Sequence, residues 1–117
     1  MSRSPSPRMR KVNESLREVV AEEVALIVDP ELGFVTITGV DTAPDLRSAI
    51  VYYSAMGDGE ERDATGRALR RAAPRLQAAV AMQVRLKYTP RLRFDVDPSI
   101  AEGVRIDQIL RGLEEEA

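Results

Sequence analysis

Leu69, Ala72, Ala73, Leu76, Val80 and Val84 recur at helical spacing, and Pro74 falls in their midst. A proline inside a helix removes one backbone hydrogen bond and clashes with the preceding turn, at a cost of about 3 kcal/mol. The pattern therefore predicts two helices that meet at Pro74, the second opening where the missing N–H is not needed. Arg67, Arg71 and Arg75 are spaced to share a face off the apolar stripe. Arg70, Arg71 and Arg75 gather at the joint, where the free N–H groups of the second helix would also point. A positive helix end beside three guanidinium groups predicts a phosphate site.

Charge patterning strengthens that expectation. No Asp or Glu occurs from Ala64 to Phe94, a stretch that carries Arg67, Arg70, Arg71, Arg75, Arg85, Lys87, Arg91 and Arg93. The net charge is only -2, because the acids are concentrated before and after it. Residues 1–12 form a second basic block with Arg3, Arg8, Arg10 and Lys11. Local field, rather than the total, steers a polyanion. The plain alternative is a solvated arginine face on an ordinary helix.

A chain of 117 residues makes one domain. We expect a basic, disordered N-terminus over 1–6, a folded domain over 7–112 and a solvated acidic tail over 113–117. The chain has no Cys and no His, which removes disulfides, thiolate metal sites and the commonest general base near neutral pH. No apolar run approaches the roughly 18–20 residues of a membrane span, so a soluble cytoplasmic protein is expected. No apolar stripe is left over, which predicts a monomer.

Met9, Val12, Leu16, Val19, Val20, Val24 and Ile27 predict an amphipathic helix from about Pro7 to Val28, ended by Asp29-Pro30. Val35 and Ile37 alternate with threonines, and then Gly39 shifts the parity so that Val40 takes the inner face, which predicts a bulge. A second strand covers about 46–56, with Ala49, Val51 and Tyr53 on one face, and should pair with the first as a hairpin. Asp58 and Glu61 make a capping box for the next helix. A third strand over 91–97 turns Leu92, Phe94 and Val96 inward, and a short helix follows Ser99. The order is helix, strand, strand, helix, kink, helix, strand and short helix. Three strands make one sheet with helices on one face, an α+β fold.

Four segments in this order resemble the ribosome-binding factor A family. They are Asp29-Pro-Glu-Leu-Gly33 with Val35-Thr-Ile-Thr-Gly-Val40; Asp45-Leu46 with Ala49-Ile-Val-Tyr-Tyr-Ser54; Ala68-Leu69 with Ala72-Ala73; and Val84-Arg-Leu-Lys87 with Pro90, Leu92, Phe94, Asp97 and Glu102-Gly-Val-Arg-Ile106. The resemblance covers about residues 8–110. It implies a type-II, bacterial KH-like fold and a non-enzymatic factor that binds free 30S subunits near the decoding region. It further implies help in maturing the 3′ region of 16S rRNA, and growth in the cold. The family has an Ala-x-Gly kink where KH domains have a GXXG loop; here Ala72, Ala73 and Pro74 occupy the kink, and proline offers neither glycine's φ freedom nor an N–H. Gln77 stands where a basic residue is expected in the family.

The expected RNA contacts are therefore Arg67, Arg70, Arg71 and Arg75 at the kink, Arg85 and Lys87 beside it, and Arg8, Arg10 and Lys11 as a flexible arm. Ribosomal proteins around the site are further possible partners. Tyr52 and Tyr88 read as packing residues, with base stacking the alternative. Arg91 and Arg93 either pair with neighbouring acids or reach RNA. Asp95 and Asp97 could hold a cation or move a proton, but read better as surface charge and a turn cap. No cofactor or metal is expected. The competing functions are a generic KH-like RNA-binding module and a protein adaptor built on the acidic first helix and hairpin.

Overall fold

The computed structural model describes residues 5–99. The predicted short helix beyond Ser99, the acidic tail and residues 1–4 lie outside the described residues. Five elements occur in order: α1 (Pro7–Val24), β1 (Val35–Thr42), β2 (Ser48–Ala55), α2 (Gly59–Gln83) and β3 (Arg91–Val96). They form the expected α+β fold, with α1 and α2 against a three-stranded sheet ordered β1-β2-β3.

α1 opens at Ser6, whose Oγ accepts from the Met9 N–H at 3.1 Å, with Pro7 at the first helical position. Its inner stripe is Leu16, Val20 and Val24. The helix stops four residues before Val28. Leu26 N–H and Ile27 N–H bond to the carbonyls of Glu23 and Val24, three residues back, which tightens the last turn.

β1 and β2 pair antiparallel, and the register shifts between Ile37 and Gly39, where the parity of the sequence places a bulge. Ile37 faces the core before it, and Val40 and Thr42 after it. The hairpin turn holds Leu46 at φ 63°. β3 lies parallel to β2, with Ala49 opposite Leu92 and Val51 opposite Phe94. Leu92 is buried and Phe94 half-buried, whereas Val96, predicted to point in, is 48% exposed and borders a groove.

α2 begins with the predicted capping box: Asp58 Oδ1 accepts from Glu61 N–H at 2.8 Å, and Glu61 Oε1 from Asp58 N–H at 3.4 Å. It then runs unbroken through Pro74 for 25 residues. The predicted second helix start is therefore absent, and with it the free N–H groups expected at the joint. Two features make the unbroken form tolerable. Arg70 and Pro74 are both exposed, so the carbonyl deprived of the proline N–H lies on the wet side. On the dry side, Leu69, Leu76 and Val80 are fully buried on both halves of the helix, and that burial outweighs a proline's local cost. Ala72 and Ala73 are half-buried beneath the arginines.

Two side-chain choices seat α2 on the sheet. Gly66 lets the Tyr53 hydroxyl approach, since a Cβ there would lie 3.0 Å from it. Gln77 donates from Nε2 to the Pro90 carbonyl at 2.6 Å and accepts through Oε1 from the Leu92 N–H at 3.1 Å.

Candidate nucleic-acid interface

The expected contact residues divide into two groups. The first is the α2 face of Arg67, Arg71 and Arg75. The sequence is free of acids here, but the fold is not. The α1–β1 turn closes through Asp29, whose Oδ1 accepts from the Glu31 N–H at 3.0 Å and whose carbonyl accepts from Leu32 N–H. That turn lies over α2. Arg71 Nη2 is 2.9 Å from Asp29 Oδ2 and 2.8 Å from Glu31 Oε1, and its Nε also donates to Asp29. Arg67 Nη2 bonds to Glu31 Oε2 at 3.0 Å, and Arg75 Nε to Glu23 Oε1 at 2.9 Å. Three of the four arginines predicted at the kink are thus already paired.

The electrostatics follow these contacts. The Glu31 N–H, and then Arg71, hold the Asp29 carboxyl below its ordinary range; Arg67 and Arg71 do the same for Glu31. Bonding to Asp29, opposed in part by desolvation, pushes the Arg71 guanidinium up. Arg70 faces elsewhere. It lines a groove of about 700 Å³ between the first half of α2 and the β2–β3 side, together with Tyr53, Arg62, Asp63 and Asp95.

The second group lies where the first turns of α1 meet the end of α2. Arg8, Lys11 and Arg85 line one groove of about 430 Å³ with Val12, Ser15, Val19 and Val84. Among the described residues Glu18 is its only acidic lining residue, and no carboxylate forms an ion pair with these three cations. Arg8 sits in the first turn of α1, which carries no acid, so it stands against the helix dipole, and Lys11 follows in the next turn. Such a placement in the first turn costs about 0.3–1 kcal/mol, and a bound anion reverses the sign. Residues 8, 10 and 11 are helical rather than a flexible arm. Arg10 turns away to donate to the Pro5 carbonyl at 3.2 Å and borders a separate shallow groove.

Lys87 lies just beyond α2, its Nζ 5.5 Å from the centre of the Tyr88 ring. Arg47, from the hairpin turn, lies over the same ring at 4.8 Å. Arg47 is absent from the contacts expected of the sequence. Its chain neighbours are Leu46 and Ser48, and only the Arg91 N–H bond to the Arg47 carbonyl shows that this turn reaches the β3 entry. Tyr52 sits on the outer sheet face. Burial, and then the charges of Asp41, Asp95 and Asp97, push its phenol up. Those carboxylates repel a phosphate chain, so Tyr52 is a poor platform for bases. Asp97 accepts from the Ser99 N–H and hydroxyl at 2.9 and 2.7 Å, the turn cap expected of it. Among the described residues no three carboxylates gather as a metal site would require, and no helix is long and apolar enough to cross a membrane.

Residues 8–110 match the family model described as ribosome-binding factor A. The chain is similar to a ribosome-binding factor A from Rubrobacter xylanophilus, with 48% identity over 105 residues, covering 89% of this chain and 85% of the relative. The fold is similar to the crystal structure of ribosome-binding factor A from Thermus thermophilus, with a TM-score of 0.68 and 33% identity, covering 75% of this chain and 93% of that one. It is also similar to a homology model of the Thermus thermophilus factor fitted into a cryo-EM map of a 30S complex, with a TM-score of 0.59 and 36% identity, covering 71% and 88%. The sequence match spans nearly the whole chain and the fold match three-quarters of it, and the chain belongs to the ribosome-binding factor A family.

Proposed function

We propose that this chain binds the free small ribosomal subunit by gripping rRNA backbone, and that it is an assembly factor without catalytic activity. The observation that carries the proposal is the convergence of Arg8, Lys11 and Arg85, unpaired among the described residues, in one groove beside the start of α1, where the charge of Arg8 is locally unfavourable. The Thermus thermophilus relative fitted into a 30S complex supports the same partner. Lys87 and Arg47, gathered at Tyr88, extend the basic surface beyond Arg85. Such contacts position the protein on RNA; RNA shape and the surrounding ribosomal proteins supply specificity. We further assign it to maturation of the 3′ region of 16S rRNA in the cytoplasm, and to growth in the cold.

The test is sucrose-gradient co-sedimentation of the full chain with free 30S subunits, at low and raised salt, for wild type and an R8A/K11A/R85A variant. Losing three phosphate contacts should flatten the slope of log affinity against log salt by about 2. A variant that sediments with the subunit as wild type does, with an unchanged slope, would refute this interface.

A further inference from the structure

Arg67, Arg71 and Arg75 are about half exposed, yet each is engaged by a carboxylate far away in sequence. Asp29 and Glu23 are less exposed than the arginines they hold, at 19% and 20%. Arg71 turns one edge of its guanidinium to Asp29, donating from Nε and Nη2 to Oδ2 and from Nη2 also to Oδ1, as a charge-assisted donor to a phosphate would. The acids are not loose surface charges. Asp29 is set by the turn that its own side chain and carbonyl close, and Glu23 belongs to the last turn of α1.

We infer that Glu23, Asp29 and Glu31 form a latch, an internal substitute for phosphate that withholds the α2 arginines until nucleic acid held in the Arg8–Lys11–Arg85 groove displaces them. This rests on the RNA-binding reading above and deepens it. The latch is weak enough to open, because exposed ion pairs are individually worth little and are screened by salt. It also imposes a threshold. A paired arginine releases no counterions when RNA arrives, so it adds nothing to affinity while its carboxylate stays in place. A short or weakly charged polyanion meets only the open groove. A ligand long enough to reach α2 gains the second set of contacts. The device thus favours extended rRNA over incidental anions.

The test uses the full chain and a fluorescent oligouridylate of about 20 nucleotides at about 0.1 M salt, with binding followed by anisotropy. The latch variant is E23Q/D29N/E31Q; the amide that D29N introduces keeps an acceptor for the Glu31 turn. The control is E22Q/D41N/E60Q, which removes the same charge from exposed carboxylates that pair with no cation among the described residues. Each freed contact is worth about fivefold at this salt, so the latch variant should bind about 10- to 100-fold more tightly than wild type, with a salt slope steeper by about 2. The control should gain no more than about threefold from the general change in field. Arg71→Ala should then cost several-fold more in the latch variant than in wild type. Equal gains for latch and control variants, or an equal cost of Arg71→Ala in both backgrounds, would overturn the latch and leave RNA binding standing. No binding by any of the proteins would overturn both.

Discussion

Replacing Gln77 by Met removes a two-point clamp between α2 and β3. Arg91 N–H bonds towards β2, to the Arg47 carbonyl. The Leu92 N–H and Pro90 carbonyl, one residue to either side, therefore point away from β2 along the free edge of β3. Gln77 serves both, at 3.1 and 2.6 Å. Methionine keeps the length and the helix propensity but has no amide. Leu92 and Pro90 are both buried, so the two backbone groups lose their partners where water reaches them poorly. At about 1–1.5 kcal/mol per group, the variant should lose about 2–3 kcal/mol. For a domain of this size that lowers the thermal midpoint by roughly 10 °C. Urea denaturation with a global fit should show the midpoint falling while the m-value holds. Gln77→Glu should be no better, because a carboxylate accepts from Leu92 N–H but repels the Pro90 carbonyl. If Gln77→Met melts within about 2 °C of wild type, the clamp is not what joins α2 to β3.

Gly66→Ala places a Cβ 3.0 Å from the Tyr53 hydroxyl, in a side chain only 5% exposed, so the ring must shift by a few tenths of an ångström. It should destabilise by about 1–2 kcal/mol, although alanine is the better helix former. In a Tyr53→Phe background the same change should turn neutral or stabilising, which a double-mutant cycle in urea would detect. The latch predicts a pH dependence as well. The carboxyl groups of Asp29 and Glu31 are held below their ordinary range in the folded state. Their contribution is therefore complete above that range and is lost as pH falls through the depressed values. The stability difference between wild type and D29N/E31Q should be flat from neutral pH to about 5 and shrink as pH falls through the depressed values, as thermal melts across pH would show.

Much of the framework is local and legible in the chain. Asp58 and Glu61 announce a helix start three residues apart, and the parity change across Gly39 marks the bulge because side chains in a strand alternate strictly. What is not legible depends on contacts distant in sequence. Arg67, Arg71 and Arg75 meet acids 36, 42 and 52 residues away, so an acid-free run in the chain becomes a neutralised face in the fold. Pro74 misleads for the same reason. Its local penalty favours a break, but Leu69 and Leu76 on either side are buried in one core. Arg8, Lys11 and Arg85 are each expected contacts, yet only the packing of α1 on α2 shows that they share a groove from which Arg10 turns away. Gln77 reads in the sequence as a weakened RNA contact and is a structural bond.

The parallel pairing of β2 with β3 has a consequence for how the molecule is made. β2 is the middle strand, but its two neighbours become available at different times during synthesis. β1 is joined to it by a short turn, whereas β3 follows only after the whole of α2. A growing chain therefore carries the hairpin with one side of β2 unpaired until residues beyond 90 emerge, and an open strand edge invites pairing with other chains. The connection to β3 is also the expensive one in loop entropy. Helix and hairpin should collapse first, and docking of β3 should set the folding rate. Slow codons or a pause before Arg91 would prolong the aggregation-prone interval, and changes within β3 should slow refolding more than equal destabilisation of α1's first turns.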